Sequence, residues 1–275
     1  MHSLVGRDSE VEVLAAMVDA IDERGGSIVV LGEPGVGKSS LLRAMAEHGC
    51  SAGLQVLGTT GVECEAQLPF AALHQILQPL LGSLSWLPGV QRHAIEAAFG
   101  AEAAAPPERF MIALAVLNLL TEAAARKPVL VVADDLQWLD RPTQEVLAFV
   151  ARRIGADPVV VAGGVRAGHA VPFASAGLTE LHVAGLDDAS ARSLLQTCAA
   201  GLSSADRERI LKEAQGNPLA LIELSSALEA AAAAGLELLP PFLPLTGRLE
   251  RAFAARNRPA PAGQGRGPHR CRGLG

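Results

Sequence analysis

Nine consecutive residues, Gly32, Glu33, Pro34, Gly35, Val36, Gly37, Lys38, Ser39 and Ser40, carry the most specific chemical arrangement in the chain. Gly32, Gly37, Lys38 and Ser39 fit the spacing G-x-x-x-x-G-K-[ST]. Glycines at these places let backbone N–H groups close round phosphate oxygens, where a side chain would block the approach. The spacing places Lys38 to reach the β- and γ-phosphates and the Ser39 hydroxyl to take a position on Mg²⁺. An apolar run precedes the stretch and a helical run, "KSSLLRAMAEHG", follows it. The helix adds the positive end of its dipole. Only three lysines occur in the chain, so a chance match at this spacing is remote. The chemistry indicated is binding of a nucleoside triphosphate with Mg²⁺.

A second pair of groups stands at the end of "PVLVVADD". Open α/β sheets place ligands at the carboxyl ends of their strands, so an acid there faces the phosphate loop. Asp134 is placed to hold Mg²⁺ directly or through water. Asp135 is placed either to orient or deprotonate an attacking water, or to be a solvated strand end beside the next helix. Asp140, before Arg141 and Pro142, reads as a helix cap.

The elements that must position these residues alternate along the chain. "SIVVLG", "LQVLGTTG", "PVLVVADD", "PVVVAGG" and "LTELHVAG" are short apolar runs bounded by turn residues, as in a parallel sheet buried on both faces. Helical spacing marks residues 6–25, and "PFAALHQILQPLLGSL", "PPERFMIALAVLNLLTEAAAR" and "RPTQEVLAFVARRIG" read as further helices. From Leu186 only helical patterns follow, each opening on a capping residue and ending at Gly. The expected fold is α/β, a P-loop NTPase with a central parallel sheet flanked by helices and followed by a small all-helical lid. The expected limits are 1–185 for the ATPase core, 186–239 for the lid and 240–275 for the start of a next region with a basic tail.

Composition excludes several classes. A net charge of −6 gives no basic surface for nucleic acid, and aromatics at 3%, with no Tyr, leave little for base stacking. No direct sequence-specific DNA binding is therefore expected, and a helix-turn-helix pattern is missing. The four cysteines lie far apart without a C-x-x-C pair, so neither a zinc site nor a disulfide framework is expected. The first residues lack the order of a signal peptide and no apolar run reaches membrane-span length, which points to the cytoplasm. Self-association is left open.

"LVGRDSEV", "ECEAQLPFAALHQILQPLL", "VLVVADDLQWLD", "GNPLAL" and "LPLTGRLERAFAAR", in this order, resemble the ATPase region of the large LuxR-type transcriptional regulators, in the STAND class of AAA+-related signalling ATPases. The likeness covers residues 3 to about 256. The resemblance implies that Val5, Gly6 and Arg7 lie beside the adenine, that Pro218 packs on the base from the lid, and that Arg166 is a sensor near the γ-phosphate. Arg7 serves equally as a surface charge at a helix start, and Arg166 as a solvated loop residue. The implied function is a slow ATP-gated switch in a transcription regulator, with Lys38, Asp135 and Arg166 as its catalytic groups. The alternatives are a nucleotide-binding interaction module that does not turn over and an ATPase like those of replication initiators. Past "LERAFAAR" the likeness stops. In residues 256–275, fifteen of twenty are Arg, Gly, Pro or Ala and none is acidic, so the segment is expected to be disordered, either as an out-of-frame reading after a truncation or as a natural basic tail.

Overall fold

The computed structural model describes residues 4–100, 108–199 and 201–233. Among them are five strands, β1 (Gly26–Gly32), β2 (Gln55–Thr60), β3 (Val129–Asp134), β4 (Val159–Arg166) and β5 (Thr179–Val183). All pair in parallel, in the order β2-β3-β4-β1-β5. The apolar runs explain the arrangement. In β1, Ile28 and Val30 point to one face and Val29 to the other, and all three are buried. A strand of this kind needs cover on both sides, which helical crossovers between parallel strands supply.

One face is covered by α1 (Asp8–Asp19) and α2 (Lys38–Ser51). Leu14, Val18, Leu41, Leu42 and Met45 pack there on Ile28, Val30, Leu130 and Val160. The other face is covered by α3 (Ala71–Leu77), α4 (Gly89–Ala98), α5 (Arg109–Ala124) and α6 (Arg141–Ala151), whose buried Leu73, Ile76, Leu119 and Leu147 meet Val29, Leu57, Val131 and Val161. The sequence suggests one helix over 69–84, but the α-helix stops at Leu77 and 3-10 turns continue to Trp86. Pro79 has no N–H to give back to the preceding turn, which favours the tighter turns. Helix α4 was not expected; it buries Ala94 and Ile95.

Because β4 is inserted between β1 and β3, the carboxyl ends of these three strands lie side by side. Gly32 pairs with Arg166, and Ala133 pairs with Gly163. The phosphate loop, the acidic pair and Arg166 are thereby brought to one edge of the sheet.

Asp140 is the buried cap that the sequence indicates, and it does more. Its carboxylate accepts from Thr143 N at 2.9 Å and Thr143 Oγ1 at 2.7 Å, capping α6, and also from Phe70 N at 2.8 Å and Ala72 N at 3.3 Å at the start of α3. Two helices are thus held by one side chain that is 2% exposed. Asp140→Ala leaves these donors without an acceptor and should cost about 3 kcal/mol, lowering the thermal midpoint by roughly 6–10 °C. A calorimetric scan checks this; a midpoint within a degree or so of the parent would show that water replaces the carboxylate without loss.

After β5 come three helices, α7 (Asp188–Cys198), α8 (Ser204–Ala214) and α9 (Pro218–Ala233). They bury a separate apolar cluster that includes Leu186, Leu195, Ile210, Leu221 and Leu224. Asp187 caps α7 by accepting from Ser190 N at 2.7 Å, and Ser203 caps α8 by accepting from Asp206 N at 3.2 Å. Helix α8 ends where Gln215 and then Gly216 take positive φ. Gly216 is needed there, since a Cβ would stand 2.3 Å from the carbonyl oxygen of Leu186. This is the α/β, P-loop NTPase fold with a central parallel sheet and a small helical lid. The region expected from 240 onward, including the basic tail, lies outside the described residues. Cys64 and Cys198 are free thiols. No helix among the described residues is long and apolar enough to cross a membrane.

Candidate nucleotide site

The loop between β1 and α2 takes its shape from its glycines. Gly35 and Gly37 have φ of 83° and 108°, a region that costs a residue with a Cβ. Gly32, at the end of β1, passes so close to β5 that a Cβ would lie 2.5 Å from the carbonyl oxygen of Val183. Val36 turns its side chain into the core and is 3% exposed, while Glu33 and Ser39 are exposed and Ser40 lies in the first turn of α2. The Lys38 ammonium donates to the carbonyls of Gly32 at 2.8 Å and Glu33 at 3.0 Å. The backbone N–H of Val36 also donates to Glu33 O, at 3.4 Å. Two donors thus converge on one acceptor position inside the loop.

The outside of the loop is tied down three times in succession. The Pro34 carbonyl accepts from Asn217 Nδ2 at 2.8 Å, the Gly35 carbonyl from Leu219 N at 3.2 Å, and the Val36 carbonyl from Arg7 Nη2 at 3.0 Å. Asn217 also caps α9, its Oδ1 accepting from Leu219 N at 3.1 Å and Ala220 N at 3.2 Å. Pro218 is the first residue of that helix. Arg7 is buried, and its guanidinium donates further to Ala184 O at 2.6 Å and Glu10 at 2.8 Å. It therefore ties the N-terminal turn to the loop and to the segment that enters the lid. The neighbouring Gly6 has a φ of 66° and packs so closely on the lid that a Cβ would meet Ser190 Oγ at 2.3 Å, with Val5 half-buried before it.

Asp134 ends β3 facing Ser39, whose hydroxyl hydrogen-bonds its carboxylate. Burial holds the Asp134 carboxyl above the usual carboxylate range, with the adjacent Asp135 adding to the rise and Ser39 opposing it. Burial also holds the Lys38 ammonium below the usual lysine range, against the pull of Asp135 and Asp134. The room for Asp134 comes from Gly164 on β4, where a Cβ would be 2.6 Å from Asp134 Oδ1. A side chain there would push the acid out of the site.

Asp135 has a left-handed backbone, φ 48° and ψ 48°, and makes no capping bond to the turn that follows. Its Oδ1 instead accepts from Gln137 Nε2 at 2.6 Å and Arg166 Nε at 3.4 Å. The Gln137 oxygen accepts from the backbone N of Arg166 at 3.2 Å, which fixes the amide the other way up. The Arg166 guanidinium lies 5.8 Å from the centre of the Trp138 ring. The structure therefore brings Lys38, Ser39, Asp134, Asp135 and Arg166 together at the strand ends, with Pro218 beyond the loop on the lid side.

Asn217, Gln137 and Gly164 were missed as site residues. The Asn-Pro pair is a readable helix start, and a glycine inside a strand signals a close approach. For Gln137 no sequence signal existed, because the partner of its amide oxygen, the Arg166 N–H, lies on another strand.

A cleft of about 1040 Å³ opens beside Ser39 and Asp134, between α2, the edge strand β2 and α3, with Arg43, Thr59, His74 and Gln78 among its walls.

Solved structures share this fold at low identity. A signal transduction ATPase with numerous domains (STAND) and a tetratricopeptide repeat sensor, from Pyrococcus horikoshii, is 17% identical with a TM-score of 0.53, over 93% of this chain and 33% of its own. A chain of Drosophila ORC bound to DNA is 19% identical with a TM-score of 0.55, over 92% of this chain and 62% of its own. A Walker-type ATPase of Pyrococcus abyssi is 16% identical with a TM-score of 0.52, over 93% and 77%. The chain thus spans less than two thirds of the first and second of these. No curated protein matches it. The match that reaches into family comes from the sequence itself, since residues 3–162, more than half of the chain, fit the AAA ATPase domain, and with its phosphate loop, acidic strand end and helical lid the chain belongs to that family.

Proposed function

We propose that the chain is an ATP-binding, slowly hydrolysing switch module of a large signalling regulator of the LuxR type, in the STAND class. The observation that carries this reading is the pairing of Asp135 with Arg166 and Gln137, while the lid bonds directly to the loop that receives phosphate. An acid tied to two partners is a poor base until a ligand rearranges them, which favours slow turnover coupled to lid position.

In this reading Lys38 leaves the Gly32 and Glu33 carbonyls for the β- and γ-phosphates, and Val36 N–H turns from Glu33 O to the same oxygens. The residues fit a hard cation: the Ser39 hydroxyl faces the Asp134 carboxylate, which stands half-buried at the end of β3. Ser39 and Asp134 would hold Mg²⁺, which neutralises phosphate charge when bound. Asp135 orients the attacking water and Arg166 turns to the γ-phosphate. Val5 and Gly6 border the base with Arg7 behind them, and Pro218 closes over it from the lid. Residues 1–185 form the core, 186–239 the lid, and 240–275 begin a further region. The module works in the cytoplasm and does not contact DNA itself.

A non-hydrolysing interaction module is the second reading, and the same Asp135–Arg166 pair favours it if it never opens. Phosphate release from the purified chain at saturating MgATP decides between them. Slow release that continues past one equivalent is expected; ATP retained intact on the protein over hours would replace the switch with the non-hydrolysing module.

A further inference from the structure

We propose that Asn217 is a positioning residue for phosphate, acting from the lid through the peptide groups of the loop; this rests on the nucleotide reading above. Its side chain has two ends with two tasks. The oxygen caps α9, and the amide nitrogen holds Pro34 O at 2.8 Å. In a planar trans peptide the C=O and N–H point in opposite directions. Holding the Pro34 carbonyl toward the lid therefore aims the Gly35 N–H away from it. The Leu219 N–H, placed by the same cap, does likewise for the Val36 N–H by holding the Gly35 carbonyl at 3.2 Å.

The direction of one of these groups is visible. Val36 N–H points to Glu33 O, the carbonyl that Lys38 Nζ also reaches. The lid thus steers a backbone donor to the place where the lysine already points, and a phosphate oxygen takes the place of that carbonyl. The approach is close enough to require a glycine: a Cβ on Gly35 would stand 2.7 Å from Asn217 Oδ1 and 2.9 Å from Leu219 Cβ.

Few other side chains can do both tasks. Aspartate caps a helix as well as asparagine does, but when ionised it has no proton for Pro34 O and sets a carboxylate against that carbonyl. Serine also caps, yet is too short to span to the loop. Asn217→Asp and Asn217→Ser therefore separate the cap from the tie to the loop. The experiment is titration of the full chain and both variants with a fluorescent ATP analogue and Mg²⁺, alongside thermal melts of the ligand-free proteins. Both variants keep the cap, so the melting transition should fall by no more than the few degrees of about one lost hydrogen bond, while binding weakens roughly tenfold. Asn217→Asp should recover affinity relative to Asn217→Ser as the pH is lowered into the carboxyl range, since the protonated acid regains a donor.

If the parent binds and both variants bind equally well, the assignment of Asn217 fails and the nucleotide reading stands. If the parent does not bind the analogue, the nucleotide reading fails and takes this inference with it. A loss of affinity accompanied by a drop in the melting transition well beyond a few degrees, as for a lost helix cap, would make Asn217 a structural residue and overturn the proposal.

Discussion

Lys38→Ala abolishes ATP binding and leaves the fold in place. The Lys38 ammonium sits where phosphate charge should arrive, and a unit-charge pair at ~4 Å with an effective dielectric near 20 is worth about 4 kcal/mol before desolvation. Even half of that is more than a tenfold change, and the full effect exceeds a hundredfold. The fold should tolerate the change because burial holds the lysine below its usual range. The folded state binds that proton less tightly than the unfolded state does. The charged side chain therefore costs the free protein stability at neutral pH, a cost that fades only as pH rises from the lowered value through the ordinary lysine value. Titration with a fluorescent ATP analogue and a circular dichroism spectrum test both halves; unchanged affinity in a folded variant would remove Lys38 from the site.

Asp135→Asn should keep ATP binding and lose turnover by roughly a hundredfold or more, the scale of a lost general base. Asparagine is the right replacement on two counts. It tolerates the left-handed backbone that Asp135 adopts at φ 48°. It also keeps an oxygen for Gln137 and Arg166, so the neighbours are not released by the substitution itself. Phosphate release at saturating MgATP, with affinity measured in parallel, reads the two effects separately. Hydrolysis at the parental rate would reduce Asp135 to a strand-end residue with a structural tie to β4.

The parts of this site that could be read in advance are contiguous in sequence. The phosphate loop is legible because backbone geometry and chemistry both fall within the stretch from Gly32 to Ser40. Asp134 is legible because a buried run ends on it. Sheet order is not, since nothing in the β4 sequence says that it slips between β1 and β3. The bond from Asn217 to Pro34 spans 183 residues, and local pattern holds no record of such a contact. Arg7 shows the same limit: the sequence leaves it between a place beside the adenine and a surface charge at a helix start, and holds no record of the bonds by which it joins three segments. Helix α4 escaped because its buried face rests on only two residues, Ala94 and Ile95.

The three consecutive tied carbonyls, at Pro34, Gly35 and Val36, also bear on the entropy of binding. A loop with glycines at 32, 35 and 37 would, if left to itself, wander over many backbone conformations, and ordering each residue costs about 1–2 kcal/mol. Contacts from Arg7, Asn217 and Leu219 restrict that wandering while the chain folds, before any ligand arrives. The ordering cost is then charged to folding stability, and in the proposed function a nucleotide meets a loop whose outer carbonyls are already fixed. The residues that make the loop recognisable are therefore different from those that keep it ready, and the second group sits at opposite ends of the described chain.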